Sequence, residues 1–216
     1  MTLPDTDHLI VGMSPFNPHF SVNWLTNVFM WSADHFATVD VLHPGSIAVS
    51  LLTATGTPDG RARRKVRQQC NRDMRTIAAA LDRAGVPLGL GSPLLISEHI
   101  NDPQYRFLRD LVADEYLGNA EFRSRCLDMS AAATESRLRA VGAPPGADLG
   151  VAVTYVLDEL PAYTHCADLF NYPSAALTYP SPWPVGEYIN AGMTALDTDP
   201  NSHFFVFDPE PEASYA

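Results

Sequence analysis

Short apolar runs alternate with longer stretches of helical periodicity along this chain, and that alternation predicts most of its elements. Leu9 to Met13 reads as a buried strand, and His19 and Phe20 lead into Ser21, which can cap a helix over 22–33 with Val22, Leu25, Val28 and Phe29 on one face. Val39 to Leu42 predicts a second strand, ended by His43-Pro44-Gly45, and Ile47 to Leu52 a short helix under the sheet. Thr53 to Gly60 reads as a loop. A long helix follows from Arg61 to Ala84, closed by Gly85 and Pro87. Leu94 to Ile96 is strand-like. From Asp102 to about Leu138 the pattern is helical with a break near Gly118-Asn119, and Tyr105, Leu108, Leu111, Val112, Tyr116, Phe122 and Leu127 are expected in the core.

After a loop at Val141–Gly146, a helix is predicted from Asp148 to about Tyr163 and a buried strand from Ala175 to Tyr179. A helix over Pro182–Met193, a last strand over Phe204–Phe207 and a disordered tail over 209–216 complete the reading. Strands separated by helices define an α/β chain, and 216 residues with 46% apolar content suffice for one core, so residues 1–208 are expected to form a single domain. No apolar stretch reaches eighteen residues, so no ordinary membrane-spanning helix is expected. The start, Met1 to Asp5, shows no signal-peptide pattern. Cys70, Cys126 and Cys166 lie far apart with no Cys-x-x-Cys pair, which indicates neither a zinc site nor a disulfide framework and fits a reducing cytoplasm.

Charge changes this picture. The chain carries a formal −11, yet eight of its 14 basic residues fall between Arg61 and Arg83 beside only Asp73 and Asp82, so that window carries +6 and the remainder −17. At about 100° per residue, Val66, Cys70, Met74, Ile77 and Leu81 share one face of the predicted helix. Arg61, Arg64, Lys65, Arg72, Arg75 and Arg83 share roughly the opposite face. A solvated face would be laced with acids. Here they are nearly absent, which favours a polyanion partner, and the lack of interleaved aromatics favours phosphate contacts over base stacking. Gly89-Leu90-Gly91 is no dinucleotide fingerprint, because it follows a helix and precedes a strand.

The chemistry centres on Ser14, placed where the first strand ends and the chain turns towards the first helix. In open α/β sheets ligands bind beyond the carboxyl ends of strands. Gly12 would allow close backbone approach, and Asn17 offers an amide that donates and accepts. A serine in a strand-to-helix turn explains the residue without function. A nucleophile elbow needs Gly two residues after the serine, and Phe16 stands there. An esterase triad from Ser14, Asp197 or Asp199, and His203 remains open, as does a non-catalytic polyanion-binding module built on the arginine helix. Downstream, Tyr155 and Glu159 share a helical face among Ala152, Val153, Val156, Leu157 and Leu160, so a buried Glu159 needs a cationic partner or its pKa rises.

The run from His8 through Gly12, Ser14 and Asn17 to Phe20 resembles the N-terminal signature of the cyclodipeptide synthases. Tyr155 to Pro161 resembles that family's second signature, and the two lie about 140 residues apart in the family's order. The strand ending in Tyr179 and the arginine helix resemble two further family elements. The resemblance implies a Rossmann-like domain with a mainly parallel sheet flanked by helices, related to the catalytic domain of tyrosyl- and tryptophanyl-tRNA synthetases. It implies two aminoacyl-tRNAs as substrates, a 2,5-diketopiperazine product, a monomer, and no cofactor. His-Ile-Gly-His and Lys-Met-Ser-Lys-Ser are absent and the chain has one lysine, so no ATP-activating site is expected.

By the same resemblance, Ser14 would be acylated in a ping-pong scheme, Tyr155 and Glu159 would anchor the first aminoacyl group, and Tyr179 would assist proton transfer. Gly12 and Asn17 would shape the pocket around the acyl carbonyl, and Ile10, Leu42 and Leu177 would line an apolar specificity pocket. Arg61, Arg64, Lys65, Arg67, Arg72 and Arg75 would contact acceptor-stem phosphates. Many relatives have His after the strand-end tyrosine. Pro180 stands there instead, as in a second branch of the family.

Overall fold

The computed structural model describes residues 3–140 and 146–209. Five strands form one sheet in the order β3-β2-β1-β4-β5, every pairing parallel. They are β1 His8–Gly12, β2 Thr38–His43, β3 Leu94–Leu95, β4 Ala175–Tyr179 and β5 Ser202–Val206. The helices are α1 Val22–Ala33, α2 Val49–Ala54, α3 Asp59–Ala84, α4 Ile96–His99, α5 Pro103–Gly118, α6 Ala120–Ala140, α7 Leu149–Thr164, α8 Cys166–Leu169 and α9 Pro184–Asn190, with a 3₁₀ turn at Gly45–Ala48. The fold is Rossmann-like, and its first strand lies at the centre of the sheet.

Strand alternation separates two apolar layers. Leu9, Val11, Val39, Val41 and Ala176 pack against α1 and α3, through Leu25, Val28, Phe29, Ile77 and Ala80. Ile10, Leu42 and Leu177 face the other way, onto the layer that holds α2, α5, α6 and α7. Ser21 caps α1 as the sequence predicts, its Oγ accepting from Trp24 N at 3.2 Å. Gly85 ends α3 at φ +69, a left-handed cap that glycine adopts without a Cβ clash.

Several boundaries differ from the sequence reading. The expected loop Thr53–Gly60 shrinks to four residues between α2 and α3. Thr53 and Thr55 return their hydroxyls to carbonyls three and four residues back, which keeps the end of α2 helical, and Asp59 opens α3 by pairing with Arg63 at 2.8 Å. Ile96 belongs to α4 instead of the strand before it, and β5 begins two residues earlier than expected. The helix expected over Pro182–Met193 is shorter, because Pro184 occupies its first turn and Gly192 at φ +68 lies past its end. Leu111 is 41% exposed and not core, while Tyr105, Leu108, Val112 and Phe122 are buried. Most of the loop expected at Val141–Gly146 and of the tail expected over 209–216 lies outside the described residues.

Candidate active site

β1 ends at Gly12, and Met13 N continues its pairing by donating to Leu42 O at 2.9 Å. Ser14 therefore leaves the sheet at the carboxyl end of the central strand, where helices on both sides diverge. The chain then reverses through Phe16, which takes φ +65 despite carrying a side chain. The serine keeps a negative φ, unlike the nucleophile of an elbow, and the strain falls on Phe16. Its ring lies under the Arg137 guanidinium, 4.4 Å from the centroid, a cation–π contact that holds the strained residue in place. Asn17 Oδ1 accepts from His19 N at 3.0 Å and fixes the rest of the turn.

Opposite this turn, β4 presents Tyr179 as its last residue. Its hydroxyl donates to Ser14 Oγ at 2.8 Å. A hydroxyl carries one proton and two lone pairs, so Ser14 Oγ can accept this bond and still offer its own proton to a second acceptor. Burial raises the Tyr179 pKa, opposed by the Ser14 hydroxyl and reinforced by the charge of Glu159.

Helix α7 supplies the third wall. Arg109 Nε binds Asp158 Oδ1 at 2.6 Å and Tyr105 Oη donates to the Asp158 carbonyl at 2.6 Å, so α5 fixes the rotation of α7. With Asp158 held outward, Tyr155, Glu159 and Tyr163 form an i, i+4, i+8 stripe directed at the end of β1. Tyr155 Oη is buried, and among the described residues it has no hydrogen bond of regular geometry, although Glu159 and Ser14 lie close enough to influence its titration. Burial holds the Tyr155 and Tyr163 hydroxyls well above the usual phenol range, with the Glu159 charge adding to both shifts. Burial pushes the Glu159 carboxyl up to about 8, partly countered by Tyr155 and reinforced by Asp158. No salt bridge reaches Glu159 among the described residues. The conditional drawn from sequence is met in its second form: without a cation the pKa rises.

Gly12 is required by this convergence. A Cβ there would lie 3.3 Å from both Thr178 O and Tyr179 Cδ2, and 3.6 Å from Tyr163 Oη. Tyr163 was not legible as a site residue, although its spacing of eight from Tyr155 carries the signal. Its ring stacks on Trp183 at 4.0 Å, which positions it. Ile10 is directly opposite Leu177 in register and Gly12 opposite Leu42, but Ile10, Leu42 and Leu177, expected from sequence to line a specificity pocket, are not among the residues that line the cavity beside Ser14. All three are almost fully buried beneath the site, on the face that packs against α7.

A cavity of about 740 Å³ opens beside Ser14, Asn17, Tyr155 and Tyr179. Helix α3 contributes Gln69, Arg72 and Asp73 to its wall, and α6 contributes Thr134 and Arg137. Arg72 therefore borders the cavity holding the serine. Arg61, Arg64, Arg67 and Arg75 are exposed and Lys65 partly so, and none of the six makes a salt bridge among the described residues. Arg63 and Arg83 are tied locally, to Asp59 and to Asn23 Oδ1. The polar residues from α3 and α6 were missed from sequence, except Arg72. Asp73 alone left a trace, as an acid interrupting the apolar face of α3.

A second cavity, about 480 Å³, lies at the opposite end of the sheet beside His8 and Tyr172. There His8 stacks on Tyr172 at 3.6 Å and pairs with Asp40 at 3.1 Å, while Tyr172 Oη and Leu90 N also donate to Asp40. This cluster ties β1, β2 and two loops together.

The esterase triad does not assemble. His203 lies at the start of β5 in register with Ala176, and Asp199 accepts from Ser202 Oγ at 2.7 Å. Ser14 stands beyond the opposite ends of the strands, and among the described residues its hydrogen-bond partner is a tyrosine. No group of three or more residues suited to holding a metal occurs among the described residues, and none of the described helices is long and apolar enough to cross a membrane.

A Rossmann-like sheet with a serine at its central carboxyl edge, grouped with Tyr155 and Glu159 of one helix and Tyr179 of β4, is a candidate acyl-transfer site. The cyclodipeptide synthase family model matches residues 2–209, and the chain belongs to that family. It is 54% identical over 206 residues, covering 95% of both chains, to a cyclo(L-leucyl-L-leucyl) synthase of Corynebacterium jeikeium. A crystal structure of a cyclodipeptide synthase from Bacillus thermoamylovorans aligns at 31% identity with a TM-score of 0.87, over 95% of this chain and 90% of that one. At 16% identity, a cyclodipeptide synthase of Candidatus Glomeribacter gigasporarum, solved bound to Phe-tRNAPhe, shares the fold with a TM-score of 0.61 over 94% of this chain and 88% of that one.

Proposed function

We propose that this protein joins two aminoacyl groups, delivered as aminoacyl-tRNAs, into a 2,5-diketopiperazine through a covalent ester on Ser14. The observation that carries the reading is the 2.8 Å hydrogen bond from Tyr179 to Ser14 Oγ, set against a glutamate with no cationic partner. An aminoacyl-tRNA brings the missing cation, its α-ammonium, together with an ester already activated for transfer. Ser14 Oγ attacks the ester carbonyl, the bond to the ribose oxygen breaks, and the serine proton leaves with that oxygen. The bond from Tyr179 uses a lone pair of Oγ and leaves the serine proton free for that transfer.

Glu159 and the Tyr155 hydroxyl beside it hold the first α-ammonium, and the charge pair offsets the cost of the half-buried carboxylate. Two aminolyses complete the reaction. In each, an α-ammonium first gives one proton to solvent, the resulting amine attacks an ester carbonyl, a C–N bond forms, a C–O bond breaks, and the departing oxygen takes a second proton from the nitrogen. The second closes the ring and returns the Ser14 hydroxyl. Neither step consumes a nucleotide, and no cofactor is invoked.

Gly12 and Asn17 border the acyl carbonyl, while Ile10, Leu42 and Leu177 lie buried behind that wall and shape the first pocket from beneath. The name of the Corynebacterium relative favours leucine as a substrate. The exposed stripe of Arg61, Arg64, Lys65, Arg67 and Arg75 takes the acceptor stem, and Arg72 guides its end to the cavity. The purified protein, given a mixed pool of aminoacyl-tRNAs without ATP, is expected to release a leucine-containing cyclic dipeptide detectable by mass spectrometry. Free amino acids without a cyclic product would replace this reading with an acyl hydrolase, and an untouched pool with a binding module.

A further inference from the structure

The mechanism above leaves one buried charge unused. Asp73 projects from α3 into the cavity wall and is only 5% exposed. It is the one carboxylate among the described residues lining that cavity, where Arg72 and Arg137 supply two positive charges and Tyr155 and Tyr179 the other titratable groups. Neither arginine forms a salt bridge with it. Asp73 is held instead by neutral donors. Gln69 Nε2 donates to Oδ1 at 2.8 Å, and His43 Nε2 lies 3.2 Å from Oδ2. The role of His43 is settled by its other nitrogen, since Gly45 N donates to Nδ1 at 2.9 Å. Nδ1 therefore offers its lone pair, and the ring proton sits on Nε2 and points at the carboxylate.

A carboxylate has about four acceptor positions, so two donors leave room for further hydrogen bonds. Burying an anion without a countercharge is costly, and the cavity around Asp73 is large enough for an aminoacyl group. The site must also accept two ammonium groups. Glu159 lies on the α7 side and serves one. The other enters a cavity flanked by two guanidiniums, which repel it unless an anion stands there.

We infer that Asp73, oriented by His43 and Gln69, binds the α-ammonium of the second aminoacyl-tRNA. This rests on the acyl-enzyme reading above. It makes Asp73 a substrate-binding residue and His43 a positioning residue that never touches substrate.

The test separates the two half-reactions. Excess enzyme incubated with less than one equivalent of leucyl-tRNA accumulates the Ser14 ester, which is then chased either with more leucyl-tRNA or with hydroxylamine, a neutral nucleophile needing no anchor. Asp73→Asn can keep both structural hydrogen bonds, with Gln69 flipped, and loses only the charge. Acylation and hydroxylamine cleavage are expected to stay within about twofold of the parent, while the leucyl-tRNA concentration needed in the chase rises about tenfold or more, the cost of a charge-assisted hydrogen bond. Asp73→Glu should recover part of the loss. An unchanged chase overturns the inference, as does equal damage to all three steps, which would make Asp73 a purely structural pin between α3 and β2. A parent that forms no Ser14 ester removes the covalent reading, and this inference with it.

Discussion

At the scale of single residues, Glu159 makes the sharpest claim. Its carboxyl, pushed up to about 8 by burial, holds its proton in the folded protein after the unfolded chain has released it. Folding stability attributable to this group therefore falls as pH rises from about 4.5, the ordinary glutamate value, to about 8, where the loss is complete. Glu159→Gln is expected to stabilise the free protein above pH 8 by at least about 1 kcal/mol, or 2–4 °C in Tm, and to do little at pH 4.5. Thermal melts across that range check the sign. The same variant should slow acylation of Ser14 about 10- to 100-fold, because the ammonium loses its countercharge. Normal acylation would remove Glu159 from the substrate site.

Gly12 makes a complementary claim. Gly12→Ala brings a Cβ against a backbone oxygen and the Tyr179 ring at 3.3 Å, so Tyr179 must shift by a few tenths of an ångström. Acylation should fall about tenfold with little change in melting temperature, since a small misplacement weighs on chemistry more than on packing. Ser14, Tyr155, Glu159 and Tyr179 were legible because they sit in spaced patterns. Asp73, Gln69, Thr134 and Arg137 were not, because isolated polar residues on long helices carry no periodic signal. Tyr163 lay in plain view, one helical repeat beyond a pair already singled out.

Among the elements, α3 and α7 divide the work. Helix α7 carries polar groups on a face that its apolar neighbours bury, and the Asp158–Arg109 contact to α5 sets its rotation. Arg109→Ala should loosen that rotation and lower acylation without touching the cavity, a loss that Arg109→Lys restores only in part because the guanidinium's planar geometry is lost. Helix α3 shows its cationic side to solvent and its apolar side to the sheet, as its periodicity predicted. Replacing Arg64, Arg72 and Arg75 together by Ala should weaken tRNA use and lower the slope of log affinity against log salt by about 2. An unchanged slope would remove this helix from tRNA binding. Element order and type were legible except for the four-residue helices α4 and α8, which the sequence reading lacks. Element ends were not, because the side-chain bonds of Thr53 and Thr55 and the Asp59–Arg63 pair extend helices through a stretch whose composition reads as loop.

For the whole molecule, the sheet order decides the function. Placing β1 at the centre, with β2 on one side and β4 on the other, brings Ser14 and Tyr179 within hydrogen-bond distance across 165 residues of sequence. The right-handed βαβ rule and the hydrophobic pattern permit that order, but strand pairing across such a separation is not written in either. The cavity, bounded by the Ser14 turn, α3 and α6, exists only once those elements are assembled. Sequence resemblance supplied its chemistry, and the fold supplies its shape.

The most direct test of the central claim is the site of covalent attachment. The parent, acid-quenched after brief exposure to leucyl-tRNA and digested, should yield a leucylated peptide whose modification maps to Ser14, and Ser14→Ala should yield neither that peptide nor cyclic product. A cyclic dipeptide still formed by Ser14→Ala, or a leucyl group mapped to another residue, would contradict the account.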